Sequence, residues 1–128
     1  MPKRVLVVED NDVNFALVEF VLGKLDVAVA RAATGAQALD LAERDRPDLI
    51  YMDVHLPDVT GLELTRQLRL RPYMQGVPIV ALTALAMAGD RERALDAGCT
   101  EYMSKPLSPR RLQETTARLL DLNAAAKP

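Results

Sequence analysis

The sequence predicts an α/β domain built on a five-stranded parallel sheet. Three observations carry that prediction. Short apolar runs alternate five times with longer periodic segments. Four of those runs are apolar on both faces, which suits strands covered by helices on both sides of a sheet. No Gly/Ser/Pro-rich linker divides the 128 residues, and no segment repeats. A chain of this length is expected to form one domain, residues 1–128, with a core over about 3–121 and a tail over 122–128.

The elements follow in order. Val5-Leu6-Val7-Val8 is continuous and β-branched and predicts the first strand. Phe15, Val18, Leu22 and Leu25 recur at helical spacing and predict the first helix. Val27-Ala28-Val29 is the second strand, and Ala38, Leu39 and Ala42 mark a weaker second helix. Leu49-Ile50-Tyr51-Met52 is the third strand. The third helix carries Leu64 and Leu68 one turn apart, behind Thr60-Gly61-Leu62-Glu63. That tetrapeptide fits a capping box, with Thr60 capping and Glu63 reaching back. Ile79-Val80-Ala81-Leu82 is the fourth strand, and residues 86–97 form a polar fourth helix stopped by Gly98. Tyr102-Met103 is a short fifth strand. Ser108 caps the last helix, with Pro109 at its first position and Leu112, Thr116, Leu119 and Leu120 beneath. Asn123 to Pro128, with three alanines, is expected to fray.

Composition narrows the function. Lys+Arg 16 against Asp+Glu 18 gives a net charge of -2, which disfavours a nucleic-acid reader. Hydrophobic residues at 49% and charged residues at 27% fit an ordinary soluble domain. Cys99 is the single cysteine, which excludes an internal disulfide or an all-cysteine metal site and suits a reducing, cytoplasmic setting. No apolar run is long enough to span a membrane, and the start of the chain lacks the pattern of a signal peptide. Met1 just ahead of the first strand and the alanine-rich end are expected of a complete chain.

In parallel α/β sheets the ligand site lies at the carboxyl ends of the strands. Glu9 and Asp10 follow the first strand, Asp53 the third, Thr83 the fourth and Lys105 the fifth. Three carboxylates brought together repel one another unless compensated. Lys105 compensates one charge, and a hard divalent cation such as Mg²⁺ suits the rest. A carboxylate between a metal and a lysine is a nucleophile toward phosphorus, giving an aspartyl phosphate. Taken singly, each residue has an ordinary reading: a solvated turn for Glu9-Asp10, a loop cap for Asp53, a strand-end hydroxyl for Thr83, a surface lysine for Lys105. Four strand ends contributing at one level weigh against those readings.

Two other chemistries fit the same architecture less well. A flavin mononucleotide site needs a hydroxyl- and glycine-rich phosphate cradle after the first strand. Here that loop is Glu9-Asp10-Asn11-Asp12, which repels phosphate. A metal-dependent, aspartyl-phosphate-forming phosphatase of the haloacid-dehalogenase kind has a second Asp two residues past the nucleophile. Here that position is His55, which is more often an exposed polar residue than an acid or base.

The motifs then identify a resemblance. Val7-Val8-Glu9-Asp10-Asn11, Pro47-Asp48-Leu49-Ile50-Tyr51-Met52-Asp53 and Leu56-Pro57-Asp58 with Gly61 resemble the response-regulator receiver domains of two-component signalling. Pro78-Ile79-Val80-Ala81-Leu82-Thr83-Ala84 and Ser104-Lys105-Pro106-Leu107 complete the match. Within that family the chain is similar to stand-alone cell-cycle receivers. Receivers of hybrid histidine kinases share Thr83-Ala84-Leu85-Ala86-Met87 and Gly98-Cys99.

The resemblance implies a doubly wound, flavodoxin-like (βα)5 fold with strand order 2-1-3-4-5. It implies that Asp53 is the phosphoacceptor, supplied by a sensor or hybrid histidine kinase or a histidine phosphotransfer protein. Glu9, Asp10, Asp53 and the backbone carbonyl of His55 would hold Mg²⁺, and Lys105 would pair with the phosphoryl oxygens. The Lys105-Pro106 bond is expected to be cis. Thr83 and Tyr102 would form the switch pair, Thr83 moving to the phosphate and Tyr102 turning inward. The altered surface would include Ala84, Leu85, Met87, Tyr102 and Met103, on the face of the fourth helix, fifth strand and fifth helix, where a downstream protein docks. Ordinary packing of the fourth helix accounts for the same residues, and Phe15 fits either the core or a kinase-docking face. Leu85 is apolar where side chains orient attacking water, so slow self-dephosphorylation is expected. The expected product is a cytoplasmic signalling protein rather than an enzyme, without an effector module, acting without nucleic acid or membrane.

Overall fold

The computed structural model describes residues 2–84 and 88–122. Five strands and five helices alternate: β1 (Arg4–Val8), α1 (Asp12–Leu22), β2 (Ala28–Ala32), α2 (Gly35–Asp45), β3 (Leu49–Asp53), α3 (Gly61–Arg69), β4 (Ile79–Thr83), α4 (Asp90–Ala97), β5 (Glu101–Ser104) and α5 (Pro109–Leu119). The strands pair in parallel in the order β2-β1-β3-β4-β5. This is the doubly wound order, with neighbours of β1 on both sides marking the point where the winding reverses.

Strand alternation divides the interior into two cores. Ile50 and Met52 of β3 face α2, α3 and α4, beside Ala38, Leu64, Leu68 and Ala94. Leu49 and Tyr51 face the opposite way, toward α1 and α5, beside Val18, Leu22 and Leu112. A fully buried leucine of this kind contributes about 1.5–3 kcal/mol through the area it removes from water.

The helix starts follow local chemistry. Asn11 Oδ1 accepts from the Asn14 N–H at 2.9 Å and caps α1. Thr34, Thr60 and Ser108 do the same for α2, α3 and α5. The capping box at α3 is only half formed. Thr60 caps, but Glu63 pairs with Arg66 at 3.6 Å rather than reaching back, and Thr60 is bridged to His55.

Other boundaries also differ from the sequence reading. The helix expected over 86–97 begins at Asp90, because Gly89 sits at φ +87, a left-handed conformation that no α-helix continues through. Residues 85–87, with Leu85 and Met87, lie outside the described residues, as do 123–128. The first helix ends at Leu22, and Gly23–Leu25 tightens into one 3-10 turn. The second strand runs to Ala32 and is an edge strand, half-exposed rather than central. Leu122 packs half-buried on the α1–α5 core, one residue beyond the expected limit. Lys105-Pro106 is cis. No described helix is long and apolar enough to cross a membrane.

Candidate functional site

The carboxyl ends of β1, β3, β4 and β5 lie side by side and bring the expected residues together. Asp53 and Thr83 are the last residues of their strands rather than the first of the loops, and each is 3% exposed. Glu9 follows β1 and is fully buried, whereas Asp10 beside it is exposed. One carboxylate oxygen from each of Glu9, Asp10 and Asp53 fits within 4.8 Å of the others. Lys105 Nζ reaches into the cluster, 2.9 Å from Glu9 Oε1 and 3.5 Å from Asp53 Oδ1.

Backbone ties set this geometry. The Glu9 N–H donates to Ala32 O at 2.9 Å, the Val54 N–H to Leu82 O at 2.9 Å, and the Lys105 N–H to Thr83 O at 2.7 Å. Each strand end is thereby held by its neighbour in the sheet. The Asn11 N–H donates to Glu9 Oε2 at 3.2 Å, and the His55 N–H to Asp53 Oδ1 at 3.0 Å.

The electrostatics leave one vacancy in the hydrogen bonding. Burial pushes the Glu9 carboxyl up to about 7; the Asp53 hydrogen bond adds to this and Lys105 opposes it. Lys105 stands close enough to Glu9 Oε1 for an ion pair, yet this buried oxygen receives no well-aligned hydrogen bond. A buried, incompletely satisfied carboxylate oxygen beside two more carboxylates is a donor set for a hard divalent cation. The residues present therefore fit a metal of the Mg²⁺ class.

A second layer supports the first, and sequence reasoning missed its roles. Gly61 opens α3 directly under Asp53: a Cβ there would overlap the carbonyl oxygen of that residue. The Gly61 N–H donates to Val54 O at 2.8 Å. Asp58 reaches from the loop after β3 to the start of α2, accepting from the Gly35 N–H at 2.8 Å and the Ala36 N–H at 3.2 Å. The Gly35 N–H, the largest cause, holds the Asp58 carboxyl below its ordinary value. The loop that carries His55 is thus tied to a helix it does not follow in sequence. The motif Leu56-Pro57-Asp58 was visible in the sequence, but a tie spanning 23 residues was not.

The expected switch pair shares one cavity. A space of about 210 Å³ lies between the loop after β3, α4 and β5, lined among others by His55, Leu62, Thr83 and Tyr102. Tyr102 is half-buried at its wall. The His55 side chain is exposed, and its backbone is what faces Asp53. Ala84 is exposed, but Met103 is 2% exposed and packs into the α1–α5 core, so it leaves the expected surface patch. Phe15 is half-buried on that core, with the Arg31 guanidinium 4.8 Å from its ring centre.

Comparison with known proteins places the chain. The family model described as the response regulator receiver domain matches residues 5–117. The chain is 45% identical to the polar-differentiation response regulator DivK of Brucella anthropi over 115 residues, covering 90% of this chain and 94% of that one. Among solved structures it is similar to the receiver domain of a sensor histidine kinase from Pseudomonas aeruginosa PAO1, which has a magnesium ion coordinated in its active-site cleft. The identity there is 41% and the TM-score 0.86, over 94% of this chain and 99% of that one. A putative response regulator from Chloroflexus aurantiacus superposes with a TM-score of 0.89 at 31% identity, over 94% and 99% of the two chains.

Proposed function

The chain belongs to the response regulator receiver domain family, and from that premise we propose that Asp53 is its phosphoacceptor and that the phosphorylated surface is read by another protein. The observation that carries this reading is the convergence of Glu9, Asp10, Asp53 and Lys105 at one sheet edge, with a Glu9 oxygen left buried and without a hydrogen bond.

In the step, an Asp53 carboxylate oxygen attacks the phosphorus of a phosphohistidine. The new P–O bond forms as the P–N bond breaks, and the imidazole of a histidine kinase or phosphotransfer protein leaves with the bonding pair. Lys105 meets the phosphoryl oxygens with its positive charge. Glu9, Asp10, Asp53 and the backbone carbonyl of His55 are the residues that would hold Mg²⁺. That ion supplies charge neutralisation when bound. The new dianion draws the Thr83 hydroxyl toward it, and Tyr102 turns into the cavity they share. Only the chain's own phosphoryl group is gained and lost, which makes the protein a cytoplasmic switch rather than an enzyme with a small-molecule substrate. The phosphatase alternative is not favoured, because position 55 offers an exposed histidine and no second acid.

The test is incubation with acetyl phosphate and Mg²⁺ followed by intact-mass measurement. Wild type gains the mass of one phosphoryl group, and Asp53→Ala gains none. A folded wild-type chain that gains nothing overturns the reading.

A further inference from the structure

The loop after β1 and the first position of α1 carry three acids, Glu9, Asp10 and Asp12. The carboxylates that converge among the described residues are those of Glu9, Asp10 and Asp53, and Asp12 is not one of them. Asp12 opens α1, and Arg31 Nη2 meets its Oδ1 at 2.8 Å. Arg31 comes from β2. Strand alternation puts Ala30 and Ala32 on the α2 side, and Val29 and Arg31 on the α1 side, where the Arg31 guanidinium lies 4.8 Å from the centre of the Phe15 ring.

The same guanidinium reaches the metal-site loop. Its Nε donates to the carbonyl oxygen of Glu9 at 3.1 Å. The Glu9 N–H donates to Ala32 O at 2.9 Å. Both backbone polar groups of Glu9 are therefore held by the end of β2, the carbonyl by a side chain rather than by sheet pairing. That carbonyl belongs to the peptide unit that joins Glu9 to Asp10. The unit is planar, so fixing its oxygen fixes the direction in which Asp10 leaves the strand. Asp10 is exposed, and it stands between Glu9, held at its backbone, and Asp12, held at its carboxylate. The rigid fork of a guanidinium serves a carbonyl and a carboxylate together, and its bonds are charge-assisted.

We propose that Arg31 is a positioning residue of the metal site: by holding the Glu9 carbonyl and engaging Asp12, it sets the direction of Asp10 and so the affinity for a divalent cation of the Mg²⁺ class. The role deepens the receiver reading and rests on it. Arg31 acts through the backbone of Glu9 and through Asp12, and reaches neither the ion nor the phosphoryl group. Its charge alone works the other way. A guanidinium near a dication repels it, so loss of that charge by itself tightens binding. The sign of the change separates positioning from field.

The test titrates the full chain with Mg²⁺ by isothermal calorimetry and follows phosphoryl uptake from acetyl phosphate by intact mass over the same Mg²⁺ range. Arg31→Met keeps an apolar stem and removes the fork and the charge. It is expected to weaken Mg²⁺ binding about tenfold, the scale of losing a residue that orients a metal ligand. The Mg²⁺ concentration for half-maximal uptake rises by the same factor, and the rate at saturating Mg²⁺ stays unchanged. The double variant Arg31→Met/Asp12→Asn restores the local charge of wild type and is expected to stay weakened. Unchanged or tighter binding in the single variant, or wild-type affinity in the double, overturns the proposal. Urea denaturation without Mg²⁺ is expected to give a midpoint near wild type. A collapsed fold, or a lower saturating rate with unchanged half-saturation, assigns Arg31 to structure alone and overturns it too. Wild type that binds Mg²⁺ and takes up phosphoryl, beside an unaltered Arg31→Met, sinks the positioning role and spares the receiver reading. Wild type that does neither sinks both.

Discussion

Glu9 and Gly61 show what single residues contribute at this site. Glu9 is buried without full compensation, its carboxyl pushed up to about 7 first by burial. Lys105 is the cation that offsets it, and the same ammonium stands 3.5 Å from Asp53. Lys105→Gln is expected to slow phosphoryl uptake from acetyl phosphate by about a hundredfold, the scale of losing one preorganised charge at a reacting group. Time-resolved intact mass measures this, and an unchanged rate removes Lys105 from the chemistry. Gly61 contributes by what it lacks. Its Cβ would overlap backbone of Asp53 and Val54, which cannot move aside as a flexible side chain can. Gly61→Ala is expected to cost about 2–3 kcal/mol in urea denaturation. A cost near zero would show that the loop relaxes freely. At Gly35 the nearest atom is a Val59 side-chain carbon, so the same substitution there is expected to cost less.

At the scale of elements, β3 and α5 are joined by a buried hydroxyl pair. Tyr51 Oη and Thr116 Oγ1 are 2.6 Å apart inside the second core, with Tyr51 two residues before Asp53 in the strand. Burial pushes the Tyr51 phenol up to about 12 from an ordinary 10.0. The folded state therefore keeps a proton that the unfolded chain releases. That link is fully present below pH 10 and is lost as pH rises through about 12, by about 3 kcal/mol for a shift of two units. Urea denaturation across that alkaline window is expected to show the loss, and Tyr51→Phe is expected to remove most of it. A pH slope unchanged in Tyr51→Phe would assign the effect elsewhere. The same scale explains the misplaced start of α4. Periodicity carries a helix back through residue 86, but Gly89 in a left-handed conformation begins it at Asp90.

For the whole molecule, folding brings the carboxylates of Glu9, Asp10 and Asp53 together at the carboxyl ends of the strands, beside Lys105. A cation held by these carboxylates is expected to stabilise the fold. Mg²⁺ bound to the native state alone, at a hundredfold excess over its Kd, adds about 2.7 kcal/mol and raises Tm by about 10 °C in a chain of this size. Thermal unfolding with and without Mg²⁺ reads this, and Asp10→Asn is expected to abolish most of the rise. An equal rise in Asp10→Asn would place the ion elsewhere.

The sequence by itself determined the fold class, the five alternations and the residues at the strand ends. The reason is that apolar runs, helix caps and polar strand termini are local signals, and parallel winding brings strand ends together without further information. Asp53, Thr83 and Lys105 were legible for that reason. The tertiary structure alone decided what depends on distant segments meeting. Asp58 caps α2 from 23 residues away, and Gly61 makes room for the Asp53 carbonyl. Met103 goes into the core although its neighbour Tyr102 lines the cavity. Arg118 of α5 grips Glu101 of β5 from 17 residues away. Periodicity reports which side of an element is apolar; packing in three dimensions decides what that side meets.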